Sequence, residues 1–526
     1  MSNELNKNYQ YDRCTSRGIC SINPTTSSLQ EVVLLYLKHA AFYELKLLES
    51  DSEDKITNNL ILNTISILSS NYEINEHNFY MINNAFQKEF PKIVSFYKSL
   101  DSETKLNNEV LEIEKLLNNS RNINDFIRFG EKAFNKRMLS YNKELTNFYK
   151  IIFIIIKSFT INILTFESFG KNAQKEFHLL LKVLNLLNNP QKEKNKLKKI
   201  IIDLSKKDCE LMKKIRQVQE EEYGKQTKSK ISFSTSKGNA VLVVGSNLKE
   251  LDFILDKLKD EEIDVYTHDN MILAHTFPKF QNYKNLKGQY GHGMENCLLD
   301  FSTFPGPIIL TRNSLYNIEN LYRGRLYTTD FAYSKGVIQI NDTNFSSLIK
   351  AAKEGKGFKT GKSCEDEIIG FSYQETLDKI NKKLEEKEFK QIVIIGIEGY
   401  IEDETKYFQT LLEHFPDETL VLSLSCCKEK ENRICLNAIY DTTSALKLSE
   451  ELIKNSNKKI SIFYPYCDRH TLSVMIYTSS IINNNIFIGR WNNSVISPAI
   501  IDTLKTDFNI LEITTPKNDL TKLMNG

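Results

Sequence analysis

Long uncharged apolar stretches are missing from this chain. Its most apolar run, Phe148 to Leu164, is interrupted by Lys150 and Lys157 and falls short of a membrane-spanning segment. The N-terminal stretch MSNELNKNYQYDRC is polar and has no basic-then-apolar layout, so no secretion signal is read there. Charge of one sign is missing too: a formal net charge of +2 provides no concentrated basic surface for phosphates, which argues against nucleic acid as a partner. The chain therefore reads as soluble and cytoplasmic, with no membrane partner. Proline is scarce in the first half, where only Pro24, Pro91 and Pro190 occur. In a reducing compartment the nine cysteines are expected to be buried small hydrophobes or metal ligands rather than disulfides.

Two phosphate-binding signatures are also lacking. EGKGFKTGKS (354–363) has Lys356 where a phosphate-binding loop needs a glycine, and it follows a helix-like stretch rather than a strand. VVGSN (243–247) follows a strand and opens a helix but lacks G-x-G-x-x-G.

The chain does have an ordinary globular composition, 41% hydrophobic and 26% charged, and enough length at 526 residues for about three domains. Residues 1 to about 230 are helix-periodic, in runs such as LQEVVLLYLKHAAFYELKLL, ITNNLILNTISILSS and FYKIIFIIIKSFTINIL. Ser28 and Glu31 fit a capping box ahead of the first run. The charge run Lys192 to Lys199 reads as a solvated helix face. A polar, Ser/Lys-rich stretch at 225–239 suits a domain boundary. After it, AVLVVG, LKELDFILDKLKD and IDVYTH read as strand, helix, strand, and PIILT and GVIQI as further strands. QIVIIG, TLVLSLS, KISIFY and NIFIG repeat the pattern after residue 372. The fold class is α plus α/β. An all-α helical bundle domain (1–230, with an N-terminal Cys pair) precedes two Rossmann-like α/β domains with parallel sheets (237–371 and 372–526).

The stretch Val265 to Leu315 carries His268, His275, His292 and Cys297 within the densest Gly/Pro punctuation of the protein. Open parallel sheets bind ligands beyond the carboxyl ends of their strands. Those ends hold Ser246, Asn270, Ser314, Glu398 and the pair Cys426-Cys427, which should converge on the seam between the α/β domains. Cys435, Cys467, Asp468 and His470 follow and are near enough in the chain to reach the same seam. Cys14 and Cys20 form half of a four-ligand set, which a twofold dimer could complete across its axis.

Four segments, CTSRGICSINPTTSSLQEVVLLYL, AHTFPKFQNYKNLKGQYG, FPGPIILTRNSL and YRGRLYTTDFAYSKGVIQI, make the chain resemble the hybrid cluster proteins. These are the prismane or hydroxylamine reductase proteins, related to nickel carbon monoxide dehydrogenases. The resemblance runs over essentially the whole chain and is strongest from 240 to 345. It implies a helical domain followed by two α/β domains, and reduction of a small nitrogen species of the hydroxylamine or nitric oxide type. The family's oxygen-sensitive iron–sulfur–oxygen cluster lies between the domains on one His, two Glu and four Cys. Here Ser246 stands at the histidine ligand, Asn270 at the first carboxylate, and Ser314, Glu398 and Ile439 at three of the cysteines. Cys426 is retained, and Asp468 replaces the last glutamate. Isoleucine cannot coordinate iron, and neutral Ser or Asn replaces a thiolate or carboxylate poorly. The resemblance therefore carries no unmodified hybrid cluster to this chain.

An altered iron–sulfur site at the seam would have to draw on Cys426, Asp468, Glu398, Cys427, Cys297, Cys435, Cys467, His268 and His292; a zinc or nickel site from the same Cys and His is the alternative. No catalytic residue is assigned. Cys14 and Cys20 resemble the two-cysteine pattern with which carbon monoxide dehydrogenases bind a cluster on their dimer axis. That implies a 4Fe-4S cluster shared across a homodimer, a redox electron donor, and a small-molecule or gas substrate if the protein is active. A dimeric iron–sulfur scaffold, sensor or electron-transfer accessory protein that has lost the hybrid cluster is the non-catalytic reading.

Overall fold

The computed structural model describes residues 24–525 apart from 51–54, 70–74, 101–107, 120–121, 141–144, 189–190, 292–295, 313, 315–318, 397–401, 426, 439–440, 466, 483–485 and 490–496. Helices fill the first part: α1 (Pro24–Leu48), α2 (Lys55–Ser69), α3 (Glu76–Leu100), α4 (Asn108–Asn119), α5 (Ile123–Ser140), α6 (Thr146–Ser168), α7 (Gln174–Asn185) and α8 (Lys194–Tyr223). Helix α1 begins at Pro24, which suits a first helical turn. Ser28 is therefore a buried residue inside the helix and not its cap. Pro91 lies within α3 rather than ending it. Helix α6 is the one described helix long and apolar enough, by length and composition, to cross a membrane, contrary to the reading of its sequence. It is a core helix: 67% of its apolar window is buried inside the protein.

Two six-stranded sheets follow among the described residues, each wholly parallel. A two-stranded antiparallel ribbon of β1 (Ser229–Ile231) and β8 (Glu367–Ile369) flanks the first. The first sheet runs β4-β3-β2-β5-β6-β7, from β2 (Ala240–Val244), β3 (Asp264–His268), β4 (Leu286–Gln289), β5 (Ile308–Leu310), β6 (Leu326–Thr328) and β7 (Ile338–Gln339). The second runs β11-β10-β9-β12-β13-β14, from β9 (Gln391–Ile395), β10 (Thr419–Ser423), β11 (Arg433–Cys435), β12 (Lys459–Tyr464), β13 (Ile486–Ile488) and β14 (Ile510–Glu512). In each sheet the first strand is central and the chain winds away from it in both directions, the doubly wound order. Strands β2, β9 and β10 are buried at every residue, as helices on both faces require.

The helices that matter for the site are α9 (Leu248–Leu258) after β2, α10 (Pro278–Gln281) and α11 (Cys297–Thr303) in the first α/β domain, α12 (Phe345–Glu354) after β7, then α13 (Tyr373–Glu386) and α14 (Glu402–Glu413) around β9, α15 (Thr442–Asn455) before β12 and α16 (Arg469–Ile481) after it. One continuous core spans the helical bundle and the second sheet, from Leu29 to Ile510. Of the described residues between Tyr223 and Phe371, only Ala332 is a buried member of it. The two faces of the first sheet have separate cores.

The glycines of EGKGFKTGKS have a structural use. Thr235 and Lys362 exchange backbone hydrogen bonds, as do Gly238 and Phe358, and a Cβ on Gly361 would lie 2.6 Å from the Thr235 carbonyl oxygen. The segment is glycine-rich because two backbones pass closely there.

Candidate functional site

The chain leaves β2 through Gly245, whose φ of +118° is costly for any residue with a Cβ. A Cβ there would also stand 2.3 Å from Thr311 Oγ1 and 2.7 Å from Ser314 Oγ. Thr311 Oγ1 donates to the Val244 carbonyl at 2.7 Å, and Ser314 Oγ donates to the Thr311 carbonyl at 2.6 Å while lying 3.2 Å from the Val244 carbonyl oxygen. This turn aims Ser246 beyond the sheet. We expect Gly245→Ala to lower unfolding stability by about 2–3 kcal/mol, read from chemical unfolding followed by circular dichroism.

Ser246 and Asn270 meet Asp441, Asp468 and His470 around one cavity of about 170 Å³ between the helical bundle and the two sheets. Helix α6 contributes Asn162 and Thr165, and α8 contributes Met212, Arg216 and Gln219. The starts of α9, α15 and α16 all open onto it, as the doubly wound topology dictates. Each start is capped by a side chain of its own: Asn247 accepts from Lys249 N and Glu250 N, Asp441 from Ser444 N, and Asp468 from Thr471 N.

Arg216 ties the walls together. Its Nη1 and Nη2 donate to the two carboxylate oxygens of Asp441 at 2.8 and 2.9 Å. Nη1 also donates to Ser444 Oγ at 3.0 Å and to Gln226, and the guanidinium stands 5.6 Å from the centre of the Phe277 ring. Burial works against the Asp441 charge, but the Arg216 guanidinium and the Ser444 hydrogen bonds outweigh it and hold the carboxyl below its usual range.

A second polar cluster lies behind the cavity wall. Ser158 Oγ on α6 donates to Asp208 Oδ2 on α8 at 2.5 Å and sits 2.8 Å from His470 Nδ1 on α16. Asn162 Nδ2 donates to Asp208 Oδ1 at 2.7 Å. Burial pushes the Asp208 carboxyl up to about 6, although Ser158, Ser473 and Asn162 oppose the shift. Burial pushes the His470 imidazole down to about 4. His470 was singled out in the sequence, but Ser158 and Asp208 were not, because they lie inside α6 and α8, 50 residues from each other, and Ser158 is 312 residues from His470.

The other residues singled out in the sequence are dispersed. His268 is fully buried and pairs through Nε2 with Asp300 Oδ2 at 3.0 Å, against the Phe301 ring. His275 is in hydrogen-bond contact with Thr267 Oγ1 at 2.8 Å, and burial lowers its pKa to about 4. Cys297 opens α11 and packs beside the core of the first sheet. Cys467 is fully buried in the shared core, where burial pushes its thiol up and keeps it neutral. Cys427 and Cys435 form a disulfide, with an S–S distance of 2.06 Å, so the expectation that no cysteine would be so paired is corrected. Cys435 ends β11 opposite Ser423 of β10, and Cys427, four residues beyond Ser423, stands beside it with the two Cα atoms 5.8 Å apart. Cys14, Cys20, His292, Glu398, Cys426 and Ile439 lie outside the described residues.

Among the described residues no three His, Cys, Asp or Glu side chains are grouped to hold a metal ion. The described wall of the cavity contains no thiol, both of its aspartates cap helices, and one of them is neutralised by Arg216. A hybrid cluster, which needs four thiolates, does not fit this donor set.

The model of the Prismane/CO dehydrogenase family matches residues 9–447, most of the chain. The chain belongs to that family. Relatives similar to it include the hydroxylamine reductase of Methanocella arvoryzae, 27% identical over 323 residues, a match covering 57% of this chain and 59% of that protein. Another is the hydroxylamine reductase of Thermodesulfovibrio yellowstonii, 23% identical over 536 aligned positions, with 97% and 98% coverage. Among solved structures, alpha subunits of acetyl-CoA synthase/carbon monoxide dehydrogenase with NiZn[Fe4S4] and NiNi[Fe4S4] clusters align at 12% identity with a TM-score of 0.48, over 98% of this chain and 84% of that one. Ser246, Asn270 and Asp468, all placed by the resemblance at family ligand positions, line the same cavity in this prismane-family chain.

Proposed function

We propose that this chain is a cytoplasmic iron–sulfur redox protein that keeps the prismane-family pocket without its hybrid cluster, and that the pocket takes a small nitrogen species of the hydroxylamine type. The observation that carries this reading is the meeting of Ser246, Asn270, Asp441 and Asp468 on one polar cavity at the carboxyl ends of both sheets. Relatives called hydroxylamine reductase support the choice of substrate. Cys14 and Cys20 supply two thiolates, half of the four that a 4Fe-4S cluster needs, and a second copy of the chain would supply the rest. Such a cluster would provide electron transfer from a redox donor.

A second reading, a dimeric iron–sulfur scaffold that performs no chemistry, is favoured by the lack of a thiol among the described residues of the cavity wall. Anaerobic purification with iron, sulfide, nickel and zinc counts tests both. The proposal expects about two irons per chain, lost in Cys14→Ser/Cys20→Ser and kept in Cys426→Ser, together with hydroxylamine-dependent oxidation of a reduced dye. Iron with no such turnover would leave the scaffold, and no iron in either preparation would end both readings.

A further inference from the structure

Asp208 fixes the hydrogen-bonding character of the cavity wall without lining the cavity. A serine hydroxyl has one hydrogen. At 2.5 Å the Ser158 hydrogen belongs to the Asp208 carboxylate, so the 2.8 Å contact with His470 must be His470 Nδ1–H donating to Ser158 Oγ. A neutral imidazole with its proton on Nδ1 has a lone pair on Nε2. Nε2 has no hydrogen-bond partner among the described residues, and His470 lines the cavity. Asp208 acts on a second wall residue in the same way. By taking the Nδ2 donor of Asn162 at 2.7 Å, it leaves the Asn162 carbonyl oxygen to the cavity. The carboxylates of Asp441 and Asp468 are the charged oxygens of the described wall, the Arg216 guanidinium is already committed to Asp441, and the other polar groups there, Gln219, Ser246, Asn270 and three threonines, are neutral.

We infer that the cavity selects a small hydrogen-bond-donating molecule, and that Asp208 is the positioning residue that makes acceptors of His470 Nε2 and Asn162 Oδ1. The inference rests on the reading of this cavity as a small-molecule site and narrows its ligand to N–H or O–H donors of the hydroxylamine class, over acceptors such as nitrite. The charged groups that act on the relay are Asp468, the cap residue before α16, which bears on both Asp208 and His470, and Arg469 at the start of α16, which bears on His470. At pH 7.5 Asp208, with its pKa near 6, carries its charge.

Asp208→Asn should reverse the relay with little change of shape. Its amide oxygen would accept from Asn162, its NH2 would donate to Ser158, Ser158 would donate to His470 Nδ1, and the imidazole proton would move to Nε2. Nitrogen-15 correlation spectra of the histidine-labelled full chain distinguish the two tautomers, with His470→Gln assigning the signal. We expect the Nδ1–H form in the parent and the Nε2–H form in Asp208→Asn. Hydroxylamine affinity, followed through that resonance, should fall about tenfold in Asp208→Asn while nitrite affinity does not. Ser158→Ala, which cuts the relay and leaves Asp208 in place, should lose the single tautomer. An Nε2–H tautomer in the parent, or an unchanged tautomer in Asp208→Asn, overturns the assignment. The expected tautomers with no binding of either probe would instead overturn the small-molecule reading of the cavity, and the ligand class with it.

Discussion

Arg216→Met should lower the unfolding free energy by about 3–5 kcal/mol, the usual result of removing one partner from a buried ion pair. The pair qualifies because the side chains of Arg216 and Asp441 are only 6% and 2% exposed, and its geometry is bidentate. Methionine keeps much of the volume but leaves the Asp441 carboxylate with Ser444 as its remaining partner. The arginine is also the point where α8, the N-terminus of α15 and Phe277 of the first α/β domain meet, so its loss loosens all three walls of the cavity. Urea unfolding followed by circular dichroism measures the effect. The double variant Arg216→Met/Asp441→Leu should recover most of the loss, because two apolar side chains leave no uncompensated charge. A double variant as unstable as the single one would show that the salt bridge is not the cause.

Asp208→Asn should give the protein an acid sensitivity that the parent lacks. Two shifts oppose each other in the parent. His470 has a folded pKa of about 4 against an ordinary 6.5, so its contribution to stability is complete above 6.5 and is lost as the pH falls toward 4. Asp208 has a folded pKa of about 6 against an ordinary 3.8, so its contribution is complete at low pH and is lost as the pH rises through 6. Between pH 4 and 6 the folded protein holds one proton, on Asp208, and the unfolded chain holds one, on His470; the two slopes nearly cancel. Removing the carboxylate leaves the histidine slope alone. Stability of the variant relative to the parent should fall by about 3 kcal/mol between pH 7 and 4. A difference between the two that does not change with pH would rule out this account.

Much of the architecture was legible in the sequence, because β2, β9 and β10 are short continuous apolar runs and α1, α2 and α6 have clear periodicity. Helix α8 was read only as a charged face, because lysines and glutamates fill the positions between its buried Leu197, Ile201, Leu204 and Leu211. Strands β4, β6, β11 and β14 were missed: each has three or four residues and draws its pairing from neighbours distant in the chain. Strand ends predicted that Ser246 and Asn270 would meet, because parallel topology fixes where such ends converge, and Asp468, expected only to be within reach, lines the same cavity. Ser314, placed there by the same argument, is instead buried with its hydroxyl turned back onto the Thr311 carbonyl. His268 and Cys467 could not be placed by that argument, since one residue's difference in position separates a cavity wall from a core. The Asp208–Ser158–His470 relay was illegible for the opposite reason: Ser158 and Asp208 are interior residues of α6 and α8, and only the packing of those helices against the start of α16 makes them neighbours of His470.

The core shared by the helical bundle and the second sheet has a consequence for biosynthesis. The bundle is finished at Tyr223, but its apolar surface is not covered until the strands up to Ile510 have left the ribosome. At ordinary rates of synthesis that takes roughly 15–60 s. For that time the face of α6 is a sticky surface on a nascent chain, and the first α/β domain, with cores of its own, can fold while the bundle waits. Truncation before residue 510 should therefore yield an insoluble bundle, recoverable by supplying the missing C-terminal piece as a separate chain.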